Sequence, residues 1–176
     1  MTRRNLVDAT EHLPGLRRYA RALTQSATAA DDLVQQTLLR AIEGAASFRA
    51  GAPLRPWLFA ILHNEFVSGQ RRSLSEQRAL AELAQREVAA DRPSEEQSAL
   101  LRETAAQFQK LPEAQRAVLH LIAIEELSYQ QAADVLGVPI GTVMSRLSRA
   151  RGALRDAAER TPANRAMRIV GGTDAS

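Results

Sequence analysis

Apolar residues recur at three- and four-residue intervals through most of the chain and nowhere alternate with polar ones over a strand length, so every element reads as helix. A first helix is predicted over about Leu13–Thr24. A second follows SATAADD, where Thr28 can cap and Asp31 stands three residues on. Its apolar positions are Leu33, Val34, Thr37, Leu38, Ala41 and Ile42. The loop SFRAGAPLRP, with two prolines and a glycine, must break it. A third helix is expected from about Arg55 to Arg72, burying Leu58, Ile61, Leu62 and Phe66. Residues 73–104 are polar and acidic around DRPSEEQ and suit a partly helical linker. A second helical unit is expected from near Leu100 to near Ala158, followed by a tail, residues 159–176, expected to be disordered or dependent on a partner. The fold class is therefore all-α: two small helical domains, residues 10–72 and 105–158, joined by a flexible linker.

Within the second unit, LSYQQAADVLGVPIGTVMSRLSRARGAL has a specific grammar. Ser128 and Gln131 form a capping box that starts a short helix. Gly137 stands where a left-handed helix end is needed, and Pro139 stops the helix from continuing. A second helix begins near Gly141–Thr142. Short helix, glycine turn and second helix are the parts of a DNA-binding helix-turn-helix. On a helical wheel Val143, Leu147, Ala150 and Leu154 share one face. Ser145, Ser148 and Arg149 lie opposite, Met144 and Arg151 flank one side, and Arg146 the other. Serines let a helix lie close in a major groove, and arginine can read guanine bidentately. Three arginines alone would suit a solvated surface; following a complete helix-turn-helix, they point to DNA.

Charge sharpens this picture. The 176 residues carry net +3, and of 23 basic residues only Lys110 is lysine. Arginine suits phosphate and guanine edges, although a GC-rich coding bias also enriches it. Residues 1–72 and 105–158 are net basic, and 73–104 are net acidic. With no cysteine, thiolate metal sites and disulfides are out of reach. The amino terminus has no continuous apolar core, and no run approaches the roughly 20 apolar residues that span a bilayer. A soluble cytoplasmic protein is expected. His12, His63 and His120 are scattered, and the adjacent pairs Asp31-Asp32 and Glu125-Glu126 point to different helix faces. No catalytic constellation, cofactor site or metal site is expected, and no small-molecule substrate.

At this point two segments resemble a known family. DDLVQQTLLRAIEGAASFRAGAPLRPWLFAILHNEFVSGQRR is similar to the second region of bacterial sigma factors of the extracytoplasmic-function (ECF) type. LPEAQRAVLHLIAIEELSYQQAADVLGVPIGTVMSRLSRARGALR is similar to their fourth region. The match covers about residues 12–158 in the family's order and spacing, and is to the minimal two-domain type. It implies a specificity subunit whose partners are bacterial core RNA polymerase, promoter DNA and an anti-sigma factor. By that resemblance Asp32, Gln35 and Gln36 dock on the polymerase clamp helices; relatives commonly show Gln-Glu where this chain has Gln35-Gln36. The loop Ser47–Pro53 and the helix after it would open and read the −10 element through Phe48, Arg49, Trp57 and Asn64, with Arg71 and Arg72 on phosphates. Trp57 and Phe59 also suit a core, so for Trp57 both readings stand. The −35 element falls to Met144, Ser145, Arg146, Ser148, Arg149 and Arg151; relatives often carry arginine at Met144, where an apolar contact to a thymine methyl is the alternative.

Two other readings compete. A sigma-like decoy would bind an anti-sigma factor without directing transcription. An ordinary helix-turn-helix regulator would explain residues 111–155 and leave FRAGAPLRPWL unexplained.

Overall fold

The computed structural model describes residues 10–49, 51–80 and 105–160, and among them there is no strand. Helix α1 is Leu13–Thr24, α2 Ala27–Glu43, and a 3-10 turn follows at Gly44–Ser47. Helix α3 is Leu54–Leu80; after a short helical turn at 105–109 come α4 Glu113–Ala123, α5 Tyr129–Leu136 and α6 Ile140–Arg160. Two expectations are corrected. The cap of α2 is Ser26, whose hydroxyl accepts from the Ala29 amide at 3.3 Å, and Thr28 lies inside the helix. Ser26 takes the extended backbone that a cap requires, so the helix begins before Thr28 is reached. Helix α3 continues past Arg72 to Leu80, into the segment expected as linker, because LSEQRAL is itself helix-favouring and holds no breaker.

Each helix buries the stripe its sequence prescribes. In α2, Ala30, Val34, Thr37 and Ala41 face the core, and the Thr37 hydroxyl turns back to the Leu33 carbonyl at 2.7 Å. In α3, Leu58, Phe59, Leu62 and Phe66 are buried, while Ile61 is half-buried. Ile42, expected on the inner face of α2, is 50 % exposed beside Leu39 at 55 %.

Helix α4 is different: Arg116 through Leu121 are six consecutive buried residues. A helix buried on all sides is a central element. It is covered on one side by α6 of its own unit and on the other by α1, while α5 packs on α3. One continuous apolar cluster, from Leu16 and Tyr19 through Phe59 to Val118, Leu121 and Val143, runs across both units. The two predicted domains are therefore docked on each other.

The helix-turn-helix forms as its local chemistry dictates. Ser128 Oγ accepts from the Gln131 amide at 3.1 Å, and Gln131 Oε1 accepts from the Ser128 amide at 2.9 Å. Gly137 has φ +62°, the left-handed conformation that a side chain resists. Val143, Leu147 and Ala150 are buried and Leu154 is half-buried. Replacing Ser128 with Ala removes the cap and is expected to cost about 1 kcal/mol, read as a lower unfolding midpoint; an unchanged midpoint would show the cap to be dispensable.

Candidate nucleic-acid and polymerase interfaces

The carboxy-terminal face is built on α6. With Val143 and Leu147 inward, Ser145, Ser148, Arg149 and Arg151 are exposed, and Met144 is 54 % exposed. The Ser145 hydroxyl donates to the Thr142 carbonyl at 3.0 Å, which leaves its oxygen free to accept. Arg146 is only half-buried, and its charge helps hold His63 below the usual imidazole pKa. Burial is the larger cause of that depression. On the other flank, an open groove of about 330 Å³ runs between Tyr129 and the Met144, Ser148, Arg151 and Arg155 edge. An arginine-rimmed groove of mixed polar and apolar lining admits a base edge or a methyl group.

The amino-terminal face is built on the loop before α3 and on α3 itself. Gly51, at φ +86°, lets the chain reverse after the 3-10 turn, and the Ala52 amide donates to the Arg49 carbonyl at 3.0 Å. That reversal lays Phe48 against Trp57, with ring centroids 4.9 Å apart and planes tilted by 54°. Both rings are half-buried, so Trp57 packs on the core and also shows a surface; Phe59 is wholly core. Trp57, exposed Asn64 and exposed Arg71 stand seven residues apart and form one line along the helix, roughly 10 Å per step. Arg72 lies beside it, its Nε donating to the Ser68 carbonyl at 3.4 Å, and Arg49 is exposed near the head. Aromatic, amide and guanidinium in a row suit a single strand: a stacking platform, a base-edge donor and phosphate anchors.

A third face lies on α2. Asp32 and Gln35 are exposed and Gln36 is half-buried. Leu39 and Ile42 continue the same exposed stripe at helical spacing. Sequence reasoning missed Leu39 and placed Ile42 inside; an apolar residue beyond the inward stripe was the signal available. Asp31 instead bridges to Arg17 of α1 at 3.5 Å, between two exposed side chains, a contact of little weight.

The most strongly built polar cluster was not anticipated. Glu125 is fully buried in the turn after α4. That turn is closed by the Leu127 amide donating to the Leu121 carbonyl at 2.9 Å, with Glu126 in the left-handed region at φ +51° and exposed. The two adjacent glutamates do diverge, and the divergence buries one of them. Arg18 of α1 donates to Glu125 Oε1 at 2.9 Å, Arg55 of α3 donates to Oε2 at 2.7 Å, and His120 Nε2 lies 3.3 Å from Oε1. Burial pushes the carboxyl pKa up, but hydrogen bonds from His120 and Arg55 and the charge of Arg18 more than offset it, leaving it at about 2. His63 and His120, far apart in sequence, both flank the buried Tyr19 ring, and His63 Nδ1 is hydrogen-bonded to the Tyr19 hydroxyl at 3.1 Å.

No helix among the described residues is long and apolar enough to cross a membrane.

Comparison with known proteins shows the family. Residues 9–63 match the family model for the Sigma2 domain of PhyR, and residues 101–154 match Sigma-70, region 4. The chain is 38% identical over 147 residues to the ECF RNA polymerase sigma factor EcfG of Rhodopseudomonas palustris, covering 84% of this chain and 81% of that one. Among solved structures it is similar to the sigma factor RpoE of Bartonella quintana, solved in complex with the anti-sigma factor NepR. That match has 34% identity and a TM-score of 0.77, and covers 90% of this chain and 99% of that chain. It is also similar to CnrH, solved with the cytosolic domain of CnrY, at 28% identity and a TM-score of 0.60, over 85% of this chain and 84% of that one. An all-α chain with these two regions in this order, and relatives of this length and identity, belongs to the ECF RNA polymerase sigma factors.

Proposed function

We propose that the three exposed faces divide the work of promoter-specific initiation in the cytoplasm, at the nucleoid. Residues 10–72 bind core RNA polymerase through Asp32, Gln35 and Gln36, with Leu39 and Ile42 adding apolar area. The same unit melts and reads the −10 element with Phe48, Arg49, Trp57 and Asn64, anchored by Arg71 and Arg72. Residues 105–158 read the −35 element with Met144, Ser145, Arg146, Ser148, Arg149 and Arg151, and residues 73–104 connect the two units. The observation that carries this reading is segregation: on α3 and α6 alike, one face is core and the face away from it carries nucleic-acid chemistry. A decoy role is not favoured, because the relatives matched over most of their length are sigma factors. Since RpoE is held by NepR and CnrH by CnrY, an anti-sigma factor is the expected inhibitor here as well.

Arg149→Ala tests the −35 assignment. If Arg149 reads a base, binding of the holoenzyme to its promoter weakens by about 1–3 kcal/mol and discrimination at one −35 position relaxes. Undiminished discrimination would reject the assignment. Asp32→Ala is expected to weaken competition for core polymerase while helicity is unchanged; equal competition would remove Asp32 from that interface.

A further inference from the structure

The geometry points to a thymine-reading pocket in the helix-turn-helix: the groove between Tyr129 and Met144 takes the 5-methyl group of one thymine in the −35 element. Met144 and Tyr129 then discriminate by apolar contact where the arginines of α6 discriminate by hydrogen bonding. The inference rests on the reading above, that α6 reads the −35 element, and names the chemical group that one part of it recognises.

The exposed side of α6 is largely serine and arginine, and Met144 interrupts it with an apolar side chain that is 54 % exposed. Tyr129, the first residue of α5, is 39 % exposed and lines the same groove, as does the buried Leu147. A single exposed apolar side chain is ordinary, whereas two that converge on one groove, one from each helix of the motif, mark a contact surface. Ser148 stands one turn on from Met144 and also lines the groove. On its major-groove edge thymine presents the O4 acceptor and the 5-methyl group, while cytosine presents an amino donor and no methyl. A serine hydroxyl can donate or accept, so it serves either base. The apolar wall is therefore the part that separates them. Methionine suits this wall, because its unbranched thioether adapts to an irregular contact.

The far end of the groove has different chemistry. Arg151 and Arg155 rim it, and no carboxylate lines it. Gly152 lies between them in sequence, and a Cβ built there would meet nothing within 4 Å. No contact inside the described residues therefore requires glycine at this position, and alanine would favour the helix. A bare backbone flanked by two guanidinium groups suits the close approach of a DNA phosphate. From Met144 to Gly152 the helix rises roughly 12 Å, against a major groove about 8.5 Å deep and about 12 Å wide. One groove thus runs from a base edge to the backbone, and the phosphate end holds the methyl end in register.

Deoxyuridine differs from thymidine by this methyl alone, so the test alters the DNA before the protein. Holoenzyme assembled from core RNA polymerase and the full chain is titrated with a promoter duplex from the chain's own genome. Each thymine of the −35 element, on either strand, is replaced in turn by deoxyuridine. At one position the replacement should weaken binding about fourfold, as expected for one methyl group left unburied. Met144→Ala should weaken binding of the unmodified duplex and erase the effect of deoxyuridine at that position, with helicity unchanged because Met144 is exposed. A flat scan, or a deoxyuridine effect that persists in Met144→Ala, overturns the pocket. Arg149→Ala separates that result from failure of the reading beneath it. If that variant keeps full discrimination at every −35 position, or if no duplex is bound, the −35 assignment of α6 fails and the pocket falls with it.

Discussion

Replacing Arg116 with Ala lowers stability by about 3 kcal/mol and makes the two units unfold in separate steps. Its guanidinium is buried with 5 % of its surface exposed, and it satisfies carbonyls at the end of α1 and in the segment before α4. Among the described residues no carboxylate bonds it directly. Burial lowers its pKa from the ordinary value, and the charge of Glu113 partly restores it. Each carbonyl left without a donor in a dry interface costs about 1–3 kcal/mol, and some regain water as the interface loosens. Because the donor lies in one unit and the α1 acceptors in the other, the loss falls on coupling between them. Calorimetry or a denaturant titration followed by two probes reads this directly. A single transition with an unchanged midpoint would mean that the apolar cluster alone holds the units together.

Acid is expected to act through the same interface. Glu125 has its pKa drawn down to about 2 from 4.5, so its contribution to docking is present above about 4.5 and is lost as pH falls toward 2. The shift corresponds to a contribution on the order of 3 kcal/mol. His63 works in the same direction from a higher pH. Burial first, and the charge of Arg146 after it, lower the ring's pKa in the folded chain, with Glu113 opposing. The unfolded chain therefore takes up the proton first, and stability declines once pH falls below about 6.5. Denaturant midpoints at pH 7, 5 and 3 should fall in sequence, and the difference between the wild type and Glu125→Gln should shrink toward pH 2. A difference that stays constant with pH would show that Glu125 is not the acid-sensitive group.

What the sequence revealed and what it hid divide along a physical line. The capping box at Ser128 and Gln131, the left-handed end at Gly137 and the inward stripe of Val143, Leu147 and Ala150 all depend on neighbours within a few positions, and all were legible. The cap of α2 was misplaced by two residues because SATAADD offers two hydroxyls, and only backbone geometry chooses Ser26. The end of α3 was placed too early because polar composition was read as linker, although nothing between Arg72 and Leu80 breaks a helix. Trp57 could not be assigned from spacing alone: its surroundings depend on Phe48, nine positions earlier, swinging back through Gly51. Glu125 was hidden most completely. In sequence it is one of two adjacent glutamates, while its partners stand 107 and 70 residues away. No local pattern encodes such a contact, and the docking it supports was hidden with it.

Run-off transcription with purified bacterial core RNA polymerase tests the central claim most directly, using candidate promoters from the chain's own genome. The account predicts a specific transcript that requires this protein and that weakens when either the Trp57–Asn64 stripe or Arg149 is altered. No transcript from any promoter, together with no binding to core polymerase, would contradict it.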